Sequence, residues 1–565
     1  MTESRLAAQN YIEALSDQGI EYLFINPGTD FPPIVEAYAR AQTKNVRVPT
    51  PILAPHENAA VCMAHGYTMV TGRAQSVMLH VNVGTANGIC GLINASRERI
   101  PMLFTAGRTP FTEDGPEGTR SGRIHWAQEM YDQAGMLREV VKWDYELKRG
   151  DHVDDVVERA MEVSQSTPTG PVYLSLPREA LGETVADVRP SRPRRARAAP
   201  ANPSFEDIAT LCEWITAARN PLILVGSAGR SVATTDALAA LAQDHALPVV
   251  SAYSSYFVLP HSHPMFQGSM PSPLLQQADL IITIETDVPW IPSREKPDPD
   301  ARVVQIGEDP VYRSYPMRSF RSDLLIAADP AKTLFHLNDA LKKAGSAAQA
   351  NTSERRGIYS RRSNQMRERW KTEAAASGEK RGIDQTWLNH CLADLLERDS
   401  IVVSEYAFRP EYCPLERPGS FFGSSSAGGL GWGLPAALGA KLASPDQLVV
   451  ALLGDGAYMF ANPIACHWIS AAQKLPILTV VYNNLRYGAV RKATLDMYGR
   501  GAAAGNDGRL FADFGSLPAF HEVITAHGGY GEAVERPHDL PAALARAKAM
   551  VLSGRQALVN VICTD

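Results

Sequence analysis

Apolar runs of strand length recur from one end of this chain to the other, and Ala- and Leu-rich stretches of helical period separate many of them. The runs are Tyr22–Ile25, Val77–Val81, Met102–Thr105, Val172–Leu176, Leu222–Val225, Leu280–Ile284, Val303–Ile306, Ile401–Ser404, Val449–Leu453, Ile477–Tyr482 and Leu558–Ile562. A strand that is apolar without alternation has both faces covered, which is the signature of a parallel sheet between helical layers. The pattern predicts an α/β protein of three doubly wound parallel-sheet domains, and 565 residues are enough for three such units.

Two polar stretches divide the blocks. Val188–Pro203 carries four prolines and five arginines without an apolar period, the make-up of a stiff, extended linker. Lys342–Gly382 is rich in Ala, Ser, Lys, Arg and Glu, and its centre is expected to form an exposed helix. The expected domains are residues 1–187, 204–340 and 383–565.

Charge and cysteine content narrow the partners. Lys plus Arg is 55 against 61 Asp plus Glu, a formal charge of −6, which argues against a nucleic-acid protein that relies on a basic surface. No run approaches the ~18 apolar residues of a membrane span. The first residues lack the basic patch and apolar run of a secretory signal and read as an amphipathic helix. Seven scattered cysteines, with no CxxC pair, suit a reducing cytoplasm rather than a disulfide framework or zinc site.

The most informative stretch is LVVALLGDGAYMFANPIACHWISAAQKLPILTVVYNNLRYG, residues 448–488. A buried strand ends in Gly454-Asp455-Gly456; a helical segment and a second strand lead to Asn483-Asn484. Both motifs lie beyond carboxyl ends of strands, where open parallel sheets bind ligands. Asp and Asn offer hard oxygen ligands for Mg²⁺, which also takes phosphate oxygens, and glycine lets backbone approach phosphate closely. Neither motif is informative alone. With 26 residues between Gly456 and Asn483, room for one helix and one strand, they resemble the signature of thiamine-diphosphate (ThDP) enzymes. No GxxxxGK[ST] or GxGxxG competes with it.

That resemblance implies roles. Asp455 and the Asn484 side chain would ligate Mg²⁺ with the Arg486 carbonyl, while Gly454, Gly456 and Ala457 would face the diphosphate. Glu57, opening the helix in PHENAAVCMAHGYTMVTGR, would activate the aminopyrimidine; an isolated Glu there would simply favour the helix dipole. In SSSAGGLGWGLPAALGAKLA, Leu430 would bend the cofactor and the Gly428 carbonyl would accept its amino hydrogen.

Within the superfamily, three stretches look most like benzoylformate decarboxylase. Asn26-Pro27-Gly28-Thr29 matches NPGS, with Thr29 at the substrate-binding serine and Asn26, Pro27 and Gly28 against the cofactor. His80 in LHVNVGTANG and His263 in SHPMFQGSMP match segments carrying that family's active-site histidines. A histidine titrates near neutral pH, as the protonation that follows decarboxylation needs. Val490 falls where pyruvate decarboxylases use glutamate.

Other features resemble acetolactate synthases. Gln128-Glu129 in HWAQEMYDQAG, followed by VVKWDYEL, is similar to a region that lines their substrate channel. The preceding loop, Thr109–Arg123, is expected to be mobile. His56, His65 and His467 read as structural. Some relatives bind FAD or an ADP-type ligand in the middle domain, but no feature here demands FAD.

The resemblance therefore implies a cytoplasmic ThDP- and Mg²⁺-dependent enzyme acting on 2-oxo acids by non-oxidative decarboxylation, with an aldehyde or ketone as a second acceptor. The alternatives are an acetolactate-synthase-like carboligase and a non-catalytic paralogue that binds a partner. Sites completed between chains imply a homodimer or homotetramer; neither nucleic acid nor membrane is expected as a partner.

Overall fold

The computed structural model describes residues 5–186, 196–345, 351–516 and 518–563. Residues 188–195 of the expected first linker lie outside the described residues, and 196–203 carry no helix or strand. Near the start of the chain, β1 (Arg5–Leu6) pairs antiparallel with β8 (Thr184–Val185).

The first sheet uses β2 (Tyr22–Asn26), β3 (Thr50–Leu53), β4 (Gln75–Leu79), β5 (Met102–Arg108), β6 (Asp144–Glu146) and β7 (Pro171–Pro177). Its order is β3-β2-β4-β5-β7-β6, parallel throughout. Helices α1 (Ala7–Asp17), α2 (Pro32–Lys44), α3 (Glu57–Thr71) and α4 (Val81–Arg97) connect or cover these strands. All of β4 and β7 is buried, the physical origin of their unbroken apolar runs. Leu103, Val172 and Leu174 join a core with Tyr11, Ile12 and Leu15 of α1. Truncating a leucine there to alanine is expected to cost about 2–5 kcal/mol.

The second sheet, β9 (Pro221–Val225), β10 (Val249–Ser251), β11 (Leu280–Ile284), β12 (Arg302–Gly307) and β13 (Leu324–Ala327), has the order β10-β9-β11-β12-β13 and is also parallel. The polar stretch expected as a second linker contains a helix, Thr352–Gly378. It is not a free connector. Tyr359 enters the core of the second sheet, Met366 and Trp370 pack on it, and Arg355 donates to the carbonyls of Ala218 and His245 at 3.2 Å each. Its apolar residues are too sparse to announce a buried face, which explains the polar reading.

The third sheet draws on β14 (Ile401–Glu405), β15 (Phe421–Gly423), β16 (Val449–Gly454), β17 (Leu478–Asn483), β18 (Tyr530–Val534) and β19 (Ala557–Ile562). β14 pairs parallel with β15, and β16, β17 and β19 run parallel in sequence. The architecture is thus α/β, three parallel sheets with helices, as the apolar runs predict.

By packing, the chain forms two compact units. The first comprises residues 1–198, 424–533 and 546–562; the second comprises 199–423, 534–545 and 563–565. Inside the first unit, α3 lies against the helix Gly433–Ala443. A Cβ on Gly66 would meet the Ala436 carbonyl oxygen at 2.1 Å, and one on Gly439 would meet that of Met63 at 2.0 Å, so only glycine permits this approach. Trp432, fully buried beside it, donates its indole N–H to His65 Nδ1 at 3.2 Å. Burial lowers the His65 pKa to about 3, which keeps the ring neutral and structural.

Candidate active site

The chain passes from β2 to β3 on one flank and then crosses to β4 on the other flank of β2, so the carboxyl ends of β2 and β4 frame a switch-point crevice. Asn26 ends β2, and Pro27, Gly28, Thr29 and Asp30 form the loop beyond it. His80 follows β4 as the residue preceding α4, so the strand stops at Leu79, short of the expected Val81. Val81 itself has φ 34°, a strained backbone for a β-branched residue. His80 Nδ1 lies 2.6 Å from Asp30 Oδ1, and Asp30 Oδ2 accepts the Val81 N–H at 3.3 Å. The bond to Asp30 raises the His80 pKa against the opposing effect of burial, with further support from the Asp30 and Glu57 charges.

Gly28 has a packing duty at this point of the loop. A Cβ there would lie 2.1 Å from His80 Nδ1, so this glycine makes room for the imidazole. The Thr29 carbonyl accepts a hydrogen bond from Arg178 at 3.1 Å, which ties the loop to the end of β7. Gln128 Nε2 stands 3.4 Å from His80 Nε2. The stretch Thr109–Arg123, expected to be mobile, is held at several points. Arg178 donates to the Gly118 carbonyl at 2.6 Å, Thr119 to that of Thr112 at 2.7 Å, and Arg120 to Glu129.

Glu57 opens α3 and accepts a hydrogen bond from Asn87 of α4 at 3.1 Å. Next to it, His56 Nε2 lies 3.0 Å from Asn462 Nδ2. These two residues line a cavity of about 490 Å³ with Pro55, Pro463, Ile464 and Trp468. His56 Nδ1 is buried there with no hydrogen-bond partner. Burial lowers its pKa, partly offset by Glu57.

The Gly-rich loop before the helix Gly433–Ala443 is clamped by α4. Asn94 Nδ2 donates to the Gly429 carbonyl at 2.8 Å, and Asn94 Oδ1 accepts the Gly429 N–H at 3.1 Å. A Cβ on Gly429 would sit 2.9 Å from Asn94 and Cys90, so the clamp requires glycine. Gly428 adopts φ 67°, and Leu430, half-buried, follows the clamp.

At the end of β16, Asp455 is buried at the first turn of a short helix, Asp455–Phe460, between Gly454 and Gly456, with Ala457 buried behind it. Oδ1 accepts the Gly456 N–H at 2.7 Å and Oδ2 the Arg486 N–H at 3.2 Å. Burial still dominates and pushes its pKa up to about 6. Asn483, at the end of β17, is fully buried and donates to Asn560 at 3.0 Å, whereas Asn484 is half-buried just beyond. The Arg486 carbonyl accepts the Gly488 N–H at 3.0 Å.

Among the described residues no group of three His, Cys, Asp or Glu could hold a metal. The donor set that the sequence resemblance implies is instead one carboxylate (Asp455), one carboxamide (Asn484) and one backbone carbonyl (Arg486). Hard oxygens with positions left for phosphate suit Mg²⁺, and a desolvated carboxylate favours a cation beside it. The residues therefore fit a magnesium-bound diphosphate. Val490 is exposed on the following helix, Gly488–Tyr498.

His263 belongs to the second unit, whereas the residues just described belong to the first. Its Nδ1 accepts the Met265 N–H at 3.1 Å, and burial lowers its pKa, opposed by a bond to the Ala239 backbone. The carboxyl end of the second sheet holds its own pair. Glu285, just past β11 with φ 45°, accepts the Glu308 N–H at 2.6 Å and Arg230 at 2.8 Å. Neither Asp30 nor Glu285 is singled out by sequence, since each gains its partner only through the fold.

Three family models match the chain. They are the N-terminal TPP binding domain, the central domain and the C-terminal TPP binding domain of thiamine pyrophosphate enzymes, at residues 6–136, 208–337 and 407–561. The large subunit of acetolactate synthase isozyme 3 from Escherichia coli is 26% identical over 98% of this chain and 94% of its own length. Benzoylformate decarboxylase from Pseudomonas aeruginosa is 28% identical over 85% of this chain and 86% of its own. In fold, the chain is similar to a Rhodococcus jostii thiamine diphosphate-dependent 4-hydroxybenzoylformate decarboxylase (TM-score 0.78, 24% identity, 99% of each chain). With all three domain models matched in order, the chain belongs to the thiamine pyrophosphate enzymes and is a ThDP-dependent enzyme of the decarboxylase/acetolactate synthase family.

Proposed function

We propose that this enzyme decarboxylates a 2-oxo acid without oxidation and requires Mg²⁺ as well as ThDP. The observation that carries the reading is the imidazole of His80, held at the switch-point crevice with one nitrogen on Asp30 and the other toward Gln128. Replacing a carboxylate by hydrogen requires one proton, and an imidazole near its own pKa is the natural donor.

Bound ThDP supplies the nucleophilic carbon and the electron sink for departing CO₂. Asp455, Asn484 and the Arg486 carbonyl would hold Mg²⁺ and, through it, the diphosphate, with Gly454, Gly456 and Ala457 beside it. Glu57 offers the carboxyl that hydrogen-bonds the aminopyrimidine, and Asn87 orients it. Leu430 provides the apolar wedge and the Gly428 carbonyl an acceptor. Asn26, Pro27 and Gly28 complete the cofactor wall, while Thr29, Gln128 and Val490 face substrate. His263 is proposed as a second proton-transfer group.

The three segments 1–187, 204–340 and 383–565 then act as pyrimidine-binding, middle and diphosphate-binding domains. Glu57 of one protomer and Asp455 of its partner would complete each site, in a cytoplasmic homodimer or homotetramer. The exposed Phe460 and Ile464 and half-exposed Trp468, beyond Asp455, support association there.

Supplying ThDP and Mg²⁺ with benzoylformate or pyruvate, and identifying products, tests the reading. Aldehyde and CO₂, abolished by EDTA, are expected. Acetolactate from pyruvate would instead support carboligation, a reading favoured by the acetolactate-synthase match over 98% of the chain. No turnover together with no ThDP binding by calorimetry would leave the partner-binding paralogue.

A further inference from the structure

We propose that Asp30 is a positioning residue that acts through His80, holding the imidazole so that Nε2 alone gives up and recovers the catalytic proton. The inference rests on the 2-oxo acid decarboxylase reading and adds a residue to it.

Asp30 is 2% exposed and reaches its partners from the loop after β2. One carboxylate oxygen is 2.6 Å from His80 Nδ1; the other accepts the N–H of Val81, the first residue of α4. The carboxylate therefore fixes both the ring and the backbone that carries it. Two glycines on separate elements give the pair its space. A Cβ on Gly107, near the end of β5, would fall 1.6 Å from Asp30 Oδ2, and one on Gly28 would fall 2.1 Å from the His80 ring. Two such glycines around one carboxylate–imidazole contact mark the pair as built.

An ionised carboxylate is an acceptor only, so His80 Nδ1 must donate to it and keeps its hydrogen in both charge states. Nε2, on the opposite side of the ring and facing Gln128 Nε2 at 3.4 Å, is the nitrogen whose proton changes. In the reaction R–CO–COO⁻ + H⁺ → R–CHO + CO₂, the Nε2–H bond breaks and its electron pair stays on nitrogen. A C–H bond forms where the carboxylate left, and His80 recovers a proton from water. The charged or titratable groups around this ring are Asp30, Glu57 of α3, His125 of the turn Ile124–Ala127, and Arg178, bonded to the Thr29 carbonyl.

The test compares Asp30→Asn, His80→Gln and the double variant as holoenzymes. Asp30→Asn is expected to lower kcat about 10- to 100-fold, within the range of proton-transfer catalysis, with KM within about threefold. The alkaline limb of its pH–rate profile should move to lower pH, because the carboxylate that favours the protonated ring is gone. The double variant should be no slower than His80→Gln, since both changes strike one unit. Wild-type kcat and pH limb in Asp30→Asn, or multiplicative losses in the double variant, would overturn the proposal.

A second measurement is independent of turnover. Nitrogen NMR of ¹⁵N-histidine-labelled wild-type protein, with His80 assigned through His80→Gln, should show neutral His80 protonated on Nδ1. An Nε2–H tautomer would refute the Asp30 role even in an active decarboxylase. The Nδ1–H tautomer in a protein without decarboxylase activity would retain the pairing and reject the reaction.

Discussion

At the carboxyl end of the first sheet, buried Asp30 holds an imidazole; at the carboxyl end of the second, buried Glu285 holds a guanidinium and a backbone N–H. Both carboxylates lie beside backbone strained in the left-handed direction, at Val81 in one case and Glu285 itself in the other. Both are crowded by a glycine near the carboxyl end of another strand of the same sheet: Gly107 of β5 against Asp30, Gly307 of β12 against Glu285. The partners make the difference. Arginine remains charged at any working pH, so the Glu285–Arg230 contact is a permanent ion pair. Histidine titrates, and its second nitrogen faces away from the carboxylate, so the Asp30–His80 pair can deliver a proton. A shared sheet plan thus yields a structural lock in one place and a reactive group in another.

The strongest test of this contrast lies beside the first crevice. Glu57→Gln is expected to keep the fold and lose most turnover, by about 10³-fold, within the rate enhancement attributed to positioned acid–base groups. Near-wild-type turnover in that variant would remove Glu57 from cofactor activation. Next in size, His80→Gln should lower kcat about 10²-fold while ThDP affinity by calorimetry stays unchanged. A loss confined to affinity would place the ring in binding instead.

At the second sheet the expected pattern inverts. Glu285→Ala should destabilise the protein by about 3 kcal/mol, because Arg230 loses its buried carboxylate, yet kcat of the folded fraction should stay within about twofold. Denaturant unfolding and active-site titration would separate the two effects. A kcat loss like that of His80→Gln would erase the distinction between the two pairs.

The smallest effects concern pH. The His80 pKa is raised in the folded protein, so the extra stability that Asp30 gives by pairing with the protonated ring is complete below the ordinary value of 6.5. It is lost as pH rises through the folded pKa. The stability gap between wild type and Asp30→Asn should therefore narrow on the alkaline side, whereas the gap for Glu285→Ala should not. Asp455 offers a companion measurement, since burial raises its pKa to about 6. Metal-free protein should lose stability as pH climbs from about 4 to about 6, and Mg²⁺ with ThDP should reverse that loss. A flat profile would show that the carboxyl is not desolvated.

Apolar runs mark the interior strands and pass over the edges. Each run from Tyr22–Ile25 to Leu558–Ile562 is an interior strand, whereas β3, β6, β10, β13, β15 and β18, which no such run marks, all stand at sheet edges. Interior strands are covered on both faces and need continuous apolar residues. Edge strands such as β3 and β13 each bury one residue of four and borrow their conformation from a neighbour, so their composition carries little signal. The site divides in a similar way. Gly454-Asp455-Gly456 and Asn483-Asn484 were legible because short-range spacing places them at adjacent strand ends. Asp30 was silent, because its partner His80 lies 50 residues away and an aspartate after a Gly-Thr turn reads as an ordinary loop residue.

Sequence by itself therefore determined the α/β class, the three parallel sheets and the motifs of a ThDP enzyme. These depend on burial and on local geometry, which leave periodic and short-range marks. Only the tertiary structure decided that Gly28 shelters an imidazole, that Asp30 grips it and that the Thr352–Gly378 helix docks on the second sheet. Those outcomes come from close contacts between distant segments, where clearances of a few ångströms choose the partner and no local pattern records the choice.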